Sequence, residues 1–115
     1  GMVHLFFAEN GTTDQLIAAL QRVRTQAVDA LAELHRLSTT ITAGDEEFPE
    51  RRAMNAVNLE LWARLHETTR DWSIWAENEV TSWPAVRRNR RIVAAGPAER
   101  GSELFAAIAA RLAQP

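Results

Sequence analysis

Cysteine is absent from the 115 residues, and only three histidines are present. That removes disulfides, thiolate nucleophiles and cysteine-held zinc together, and leaves few nitrogen ligands for any metal. A strong charge of either sign is missing too. With a formal net charge of -2, the chain has no electrostatic footprint for nucleic acid or an anionic membrane. Long apolar runs are lacking as well. No window approaches the roughly 20 residues that span a bilayer, and Met2-Val3-His4-Leu5-Phe6-Phe7 has neither the cationic start nor the length of a signal peptide. These absences lead us to expect a cytoplasmic protein. Gly1 ahead of Met2 reads as a residue left by tag removal, and Asn10-Gly11-Thr12 as a turn rather than a glycan acceptor.

Catalytic patterns are equally scarce. With five glycines and scattered serines, no nucleophile elbow or phosphate loop can be read. His4, His35 and His66 lie far apart, and Arg70 stands where a second helical zinc ligand after His66 would be. Asp45-Glu46-Glu47 reads as an exposed loop, and Glu77 and Glu79 point to different sides of a helix, so both groups are expected to be solvated. The expectation is a non-enzyme with no catalytic residue, no metal and no cofactor.

What is present is helical pattern. Leu5-Phe6-Phe7-Ala8 is too short to stand alone, and reads as a brief strand or helical turn plugged into a core. Thr12 with Gln15 makes a capping-box arrangement, and Asp14 puts negative charge where the helix dipole favours it. From that cap Leu16, Leu20, Val23, Ala27, Ala30, Leu34, Leu37 and Ile41 alternate at four and three residues, a coiled-coil-like seam with an alanine waist. Gly44 offers a stop. Between Pro49 and Pro84 there is neither proline nor glycine, which predicts a second helix from about Pro49 to Trp83. Met54, Leu61, Leu65, Trp72 and Trp83 fall on one stripe of it, flanked by Val57 and Trp75 on one side and Trp62 and Val80 on the other.

Past Pro84, Arg87, Arg88, Arg90 and Arg91 form a basic cluster, available to phosphate or to acidic partners such as Glu77 and Glu79. Gly96-Pro97 then breaks the chain ahead of a last short helix with Leu104, Phe105, Ile108 and Leu112 on one face. The fold class expected is all-α: an antiparallel pair of long amphipathic helices plus short C-terminal helices, forming a single domain over residues 1–115. At ~1.5 Å per residue the long helices measure roughly 40 and 50 Å, against a radius of gyration near 13 Å for a compact domain of this size. They overhang a monomeric core, and the expectation is a homodimer completed as an intermolecular bundle. The interface expected comprises Leu16, Leu20, Val23, Ala27, Leu34, Leu37, Leu61, Leu65 and Trp72.

Four tryptophans in so short a chain are more readily core or interface than a ligand cage, since each buries on the order of 150–250 Å². Trp72, Trp75 and Trp83 are nonetheless the candidates for stacking on a planar aromatic effector. Asn55 and Asn58, near the apolar face, are candidates for fixing helix register.

The Leu5-Phe6-Phe7 start, a helix opening at Asp14-Gln15-Leu16 with Arg22 and Arg24, an acidic loop, and a long helix ending in Trp72-Ser73-Ile74-Trp75-Ala76-Glu77 together resemble the C-terminal domain of PadR-like transcriptional regulators, the group that includes virulence activators. The resemblance covers about residues 5 to 83 and leaves 84–115 as an extra tail. It implies a bacterial helical dimerisation module that spaces two winged helix-turn-helix domains, with an effector pocket in some members, to which Trp72 and Trp75 correspond. The winged domain that would precede Leu5 is not found, so direct DNA binding is not expected of this chain. It would pair with itself or with a full regulator. The runner-up reading is a stand-alone small-molecule-binding protein with an aromatic pocket.

Overall fold

A computed structural model describes residues 12–43, 49–84, 86–88, 91–93 and 96–113, the side chains of 42, 43, 49, 86–88 and 91–93 excepted. Among the described residues three helices and one short hairpin follow in order: α1 (Thr13–Ala43), a 3-10 turn (Pro49–Arg51), α2 (Arg52–Thr81), β1 (Val86–Arg88), β2 (Arg91–Val93) and α3 (Ala98–Leu112). The Leu5–Ala8 run, Gly44, His4 and the Asp45–Glu47 loop lie outside the described residues.

Helix α1 starts as its cap dictates. The Thr12 hydroxyl accepts from the Gln15 amide at 3.0 Å, while the Gln15 side chain accepts from the Thr12 amide, also at 3.0 Å. Two backbone donors that a helix start leaves open are thereby satisfied. Near its other end the Ser38, Thr39 and Thr40 hydroxyls donate to the carbonyls of Leu34 and Arg36, which gives these side chains partners within the helix as it runs on to Ala43.

The chain divides into two compact units, one made of Leu20–Glu77, the other drawn from Gly1–Ala19 and Asn78–Pro115. In the Leu20–Glu77 unit α1 and α2 pack against each other as an antiparallel pair. The early part of α1 meets the late part of α2, where Gln21 and Arg24 donate to Glu77, and the later part of α1 shares a cleft with the early part of α2. Leu20 and Ala27 are each 2% exposed, and Ser73 and Ala76 are also buried; the short side chains of Ala27, Ser73 and Ala76 leave room for the two backbones to approach. Ser73 is a buried polar residue, and its hydroxyl donates to the Arg70 carbonyl at 2.7 Å, so its donor is met.

In the other unit, α2 ends at Thr81, two residues before the Trp83 expected from sequence. Pro84 is the physical reason, because a residue preceding proline is pushed out of the helical region. The last turn tightens, with the Ser82 amide reaching Glu79 O at 3.1 Å and the Trp83 amide reaching Val80 O at 3.1 Å. After Pro84 the chain forms a hairpin, not a helix. Val86 pairs with Val93, Arg87 with Ile92, and Arg88 with Arg91, all antiparallel. The β-branched residues at both ends of that pairing favour strand over helix, so among the described residues α3 alone represents the short C-terminal helices expected. Its preceding residue, Pro97, is extended at φ -61, ψ 139, and α3 carries Glu99 in its first turn and Arg111 in its last, both signs as the dipole prefers.

Candidate functional site

Helix α2 presents two apolar surfaces, and only one is consumed by α1. At ~100° per residue, Met54, Val57, Leu61, Leu65, Thr68, Trp72 and Trp75 lie within an arc of about 80°. The six apolar members are between 39% (Trp72) and 64% (Val57) exposed. With Thr68 counted, successive seam positions are three or four residues apart, the signature of a helix seam that packs against another helix. Beside the seam, Trp62 is also exposed, and its ring stacks on His66 with centroids 6.4 Å apart and planes at 26°.

The residues expected at an interface therefore separate into two groups within the Leu20–Glu77 unit, with Leu16 outside it. Leu20 and Ala27 are buried inside the Leu20–Glu77 unit, with Val23, Leu34 and Leu37 half-buried along the same helix. Leu61, Leu65 and Trp72 stand on the exposed seam of α2. Leu16 is half-buried and belongs to the other unit. Of the proposed effector residues, Trp72 and Trp75 share the exposed seam. Trp83 has left the helix, and its indole N–H donates to Glu79 at 2.9 Å. Asn55 lines the cleft described below, and Asn58 is exposed at the edge of the seam.

The carboxylates expected to be solvated are not. Glu77 accepts from Gln21 Nε2 at 2.8 Å and from Arg24 Nη1 at 2.7 Å, and these bonds hold its pKa below the usual carboxylate value. Glu79, with a side chain only 8% exposed, accepts from Arg100 at 2.9 and 2.6 Å and from Trp83. Arg100 first, and Trp83 second, hold its pKa down at about 2. Arg24 pairs with Glu77 and Arg100 with Glu79; the side chains of the cluster at 87–91 lie outside the described residues.

Within the Leu20–Glu77 unit a cleft of about 460 Å³ opens between the second half of α1 and the first half of α2. Leu31, Leu34 and Leu59 supply apolar walls, Ala56 and Ala63 leave room, and His35, Arg52 and Asn55 add polar edges. No tryptophan lines it. Among the described residues no group of three or more histidines and carboxylates is placed to hold a metal ion, and no helix is long and apolar enough to cross a membrane.

Two long helices joined as an antiparallel hairpin, with a second seam facing outward, are matched by one family model. It is the model described as Virulence activator alpha C-term, and it covers residues 2–81. The chain belongs to this family. The match takes in α1 and α2 whole and stops where α2 stops, so the β-hairpin and α3 lie beyond the part that defines the family. Comparison with curated proteins and with solved structures returned no match.

The sequence pattern locates the seam but not its division of labour. Thr68 escaped notice because it is polar, although it occupies a seam position. The Glu79 cluster escaped because Arg100 is 21 residues away in sequence, and nothing local announces that contact.

Proposed function

We propose that this chain is the dimerisation domain of a PadR-like transcriptional regulator, associating through the exposed seam of α2. The observation that carries the reading is that seam: six large apolar side chains in helix-pairing register, left facing solvent by a hairpin whose other face is already packed. A contiguous exposed apolar patch of this kind marks an interaction site. Membership of the virulence activator C-terminal family supports a regulatory setting. The domain works in the cytoplasm, carries no catalysis, and does not itself touch DNA; it pairs with a second copy or with a full-length regulator. Sedimentation at micromolar concentration should give a dimer, and a monomer under those conditions overturns the reading.

Effector sensing is the second part of the proposal, and it rests on Trp72 and Trp75 standing exposed on the same seam. A planar aromatic compound stacked there would quench tryptophan fluorescence and alter the dimer. A broad panel of such compounds leaving both fluorescence and sedimentation unchanged would overturn this part, along with the alternative of a stand-alone binding protein.

A further inference from the structure

The Leu20–Glu77 unit is packed at one end and open at the other. Its buried residues, Leu20, Ala27, Ser73 and Ala76, all belong to the first half of α1 and the last third of α2. Among the described residues the second half of α1 and the first half of α2 contribute none. Between those halves lies the cleft of about 460 Å³. Leucines that face a gap forgo the close contacts of a packed core, so an apolar filler of the right shape gains contacts that the chain itself does not supply.

The walls set the shape of that filler. Along α2 the lining runs from Arg52 to Glu67, roughly 22 Å at the rise of a helix, so the cleft is a groove that is long for its volume. Ala56 and Ala63 stand two turns apart on one side of α2, with Leu59 between them and Leu31 and Leu34 across the groove on α1. Short side chains at both alanines keep the groove open along its length.

Charge sets the direction. At one end Arg52 and Asn55, one turn apart, carry hydrogen-bond donors; at the other stands Glu67. Glu60, on the edge between them, accepts from Arg64 at 3.0 Å. A carboxylate is drawn to the Arg52 end and repelled from the Glu67 end, so an apolar chain with an anionic head has one favoured orientation.

We propose that this groove binds a medium-chain aliphatic carboxylate, its head group at Arg52 and Asn55 and its tail along Ala56, Leu59 and Ala63 against Leu31 and Leu34. A ten-carbon acid extends to roughly 12 Å, the same distance that separates Asn55 from Ala63 along the helix. The site is distinct from the tryptophans of the seam, none of which lines it. It does not depend on the dimer reading, and either can fail alone.

Isothermal titration of the full chain with decanoate, held below the concentration at which it forms micelles, tests the assignment. One decanoate should bind per chain. Ala56→Leu and Ala63→Leu each place a larger side chain in the groove and should weaken binding roughly tenfold or more. Ala56 is exposed, so its variant keeps the test valid if a leucine at half-buried Ala63 disturbs the fold, which circular dichroism reports. Arg52→Gln should weaken decanoate about tenfold, the worth of a charge-assisted hydrogen bond, and leave decanol, the same tail without the charge, unchanged. Trp72→Ala should alter neither. No binding of decanoate overturns the proposal, and so does binding that both leucine variants leave intact. Binding lost on Trp72→Ala places the ligand on the seam and overturns it too. Decanoate and decanol responding alike to Arg52→Gln overturns the head-group assignment. A change in sedimentation caused by Ala56→Leu with no ligand added shows that a second copy fills the groove, which also overturns the proposal.

Discussion

Arg100 grips Glu79 with two nitrogens, Nε at 2.9 Å and Nη2 at 2.6 Å from the two carboxylate oxygens, fixing the first turn of α3 to the last turn of α2. The planar guanidinium matches the planar carboxylate, so both bonds form with one geometry. Trp83 adds a third donor to the same carboxylate at 2.9 Å.

This cluster should make docking of α3 sensitive to acid. The folded state holds Glu79 at about 2, below the ~4.3 of an unfolded glutamate. Its contribution is therefore complete above the unfolded value and drains away as pH falls from there towards about 2. Thermal unfolding of the parent and of Glu79→Gln should differ most at neutral pH, with the parent more stable, and converge in acid. Parallel curves at all pH values would show that the Glu79 charge does not contribute.

Gly96 lies against the Trp83 ring, where an added Cβ would sit 2.8 Å from Cε2 and 3.0 Å from Cδ2. A contact that short forces the indole or the backbone to move. Gly96→Ala should cost about 1–3 kcal/mol of stability, as overpacking does, with altered tryptophan emission. Gly101→Ala, whose Cβ would meet nothing within 4 Å, should be neutral or stabilising in its helix, and chemical denaturation of the two variants separates the cases.

The core of the α1–α2 hairpin should respond to volume in both directions. Leu20, 2% exposed, loses packing on Leu20→Ala at a cost of about 2–5 kcal/mol. Ala27, equally buried, has no space for a larger side chain, so Ala27→Leu should push the helices apart and destabilise by about 1–3 kcal/mol. Helical circular dichroism against temperature measures both.

Seam substitutions should behave differently, weakening association before they touch the fold. Trp72→Ala and Leu61→Glu should each raise the dimer dissociation constant by roughly 30-fold or more, the ~2 kcal/mol of a central interface residue. Helical content at high protein concentration should stay unchanged. A loss of helix in step with the loss of dimer would mean that the seam supports the fold itself.

Much of this was legible in residues 12–81 because helices write themselves in local spacing. The capping box, the uninterrupted run after Pro49 and the two apolar periodicities are properties of neighbours three and four apart, so the all-helical hairpin could be read directly. The segment after Pro84 was harder, since Val86–Val93 is short, arginine-rich and without strong period, and its pairing as a hairpin depends on contacts across the turn.

By itself the sequence determined that two long helices fill residues 12–81, with an apolar seam on the first and a tryptophan-rich apolar stripe on the second. Only the tertiary structure decided which stripe is spent within the chain. The alanine waist at Ala27 and the small Ser73 and Ala76 allow close approach, so that face goes to the partner helix, while the bulk at Leu61, Leu65, Trp72 and Trp75 is left outward. It likewise decided that Glu79 belongs to Arg100, because an ion pair between distant residues is a consequence of packing and has no period for the sequence to display.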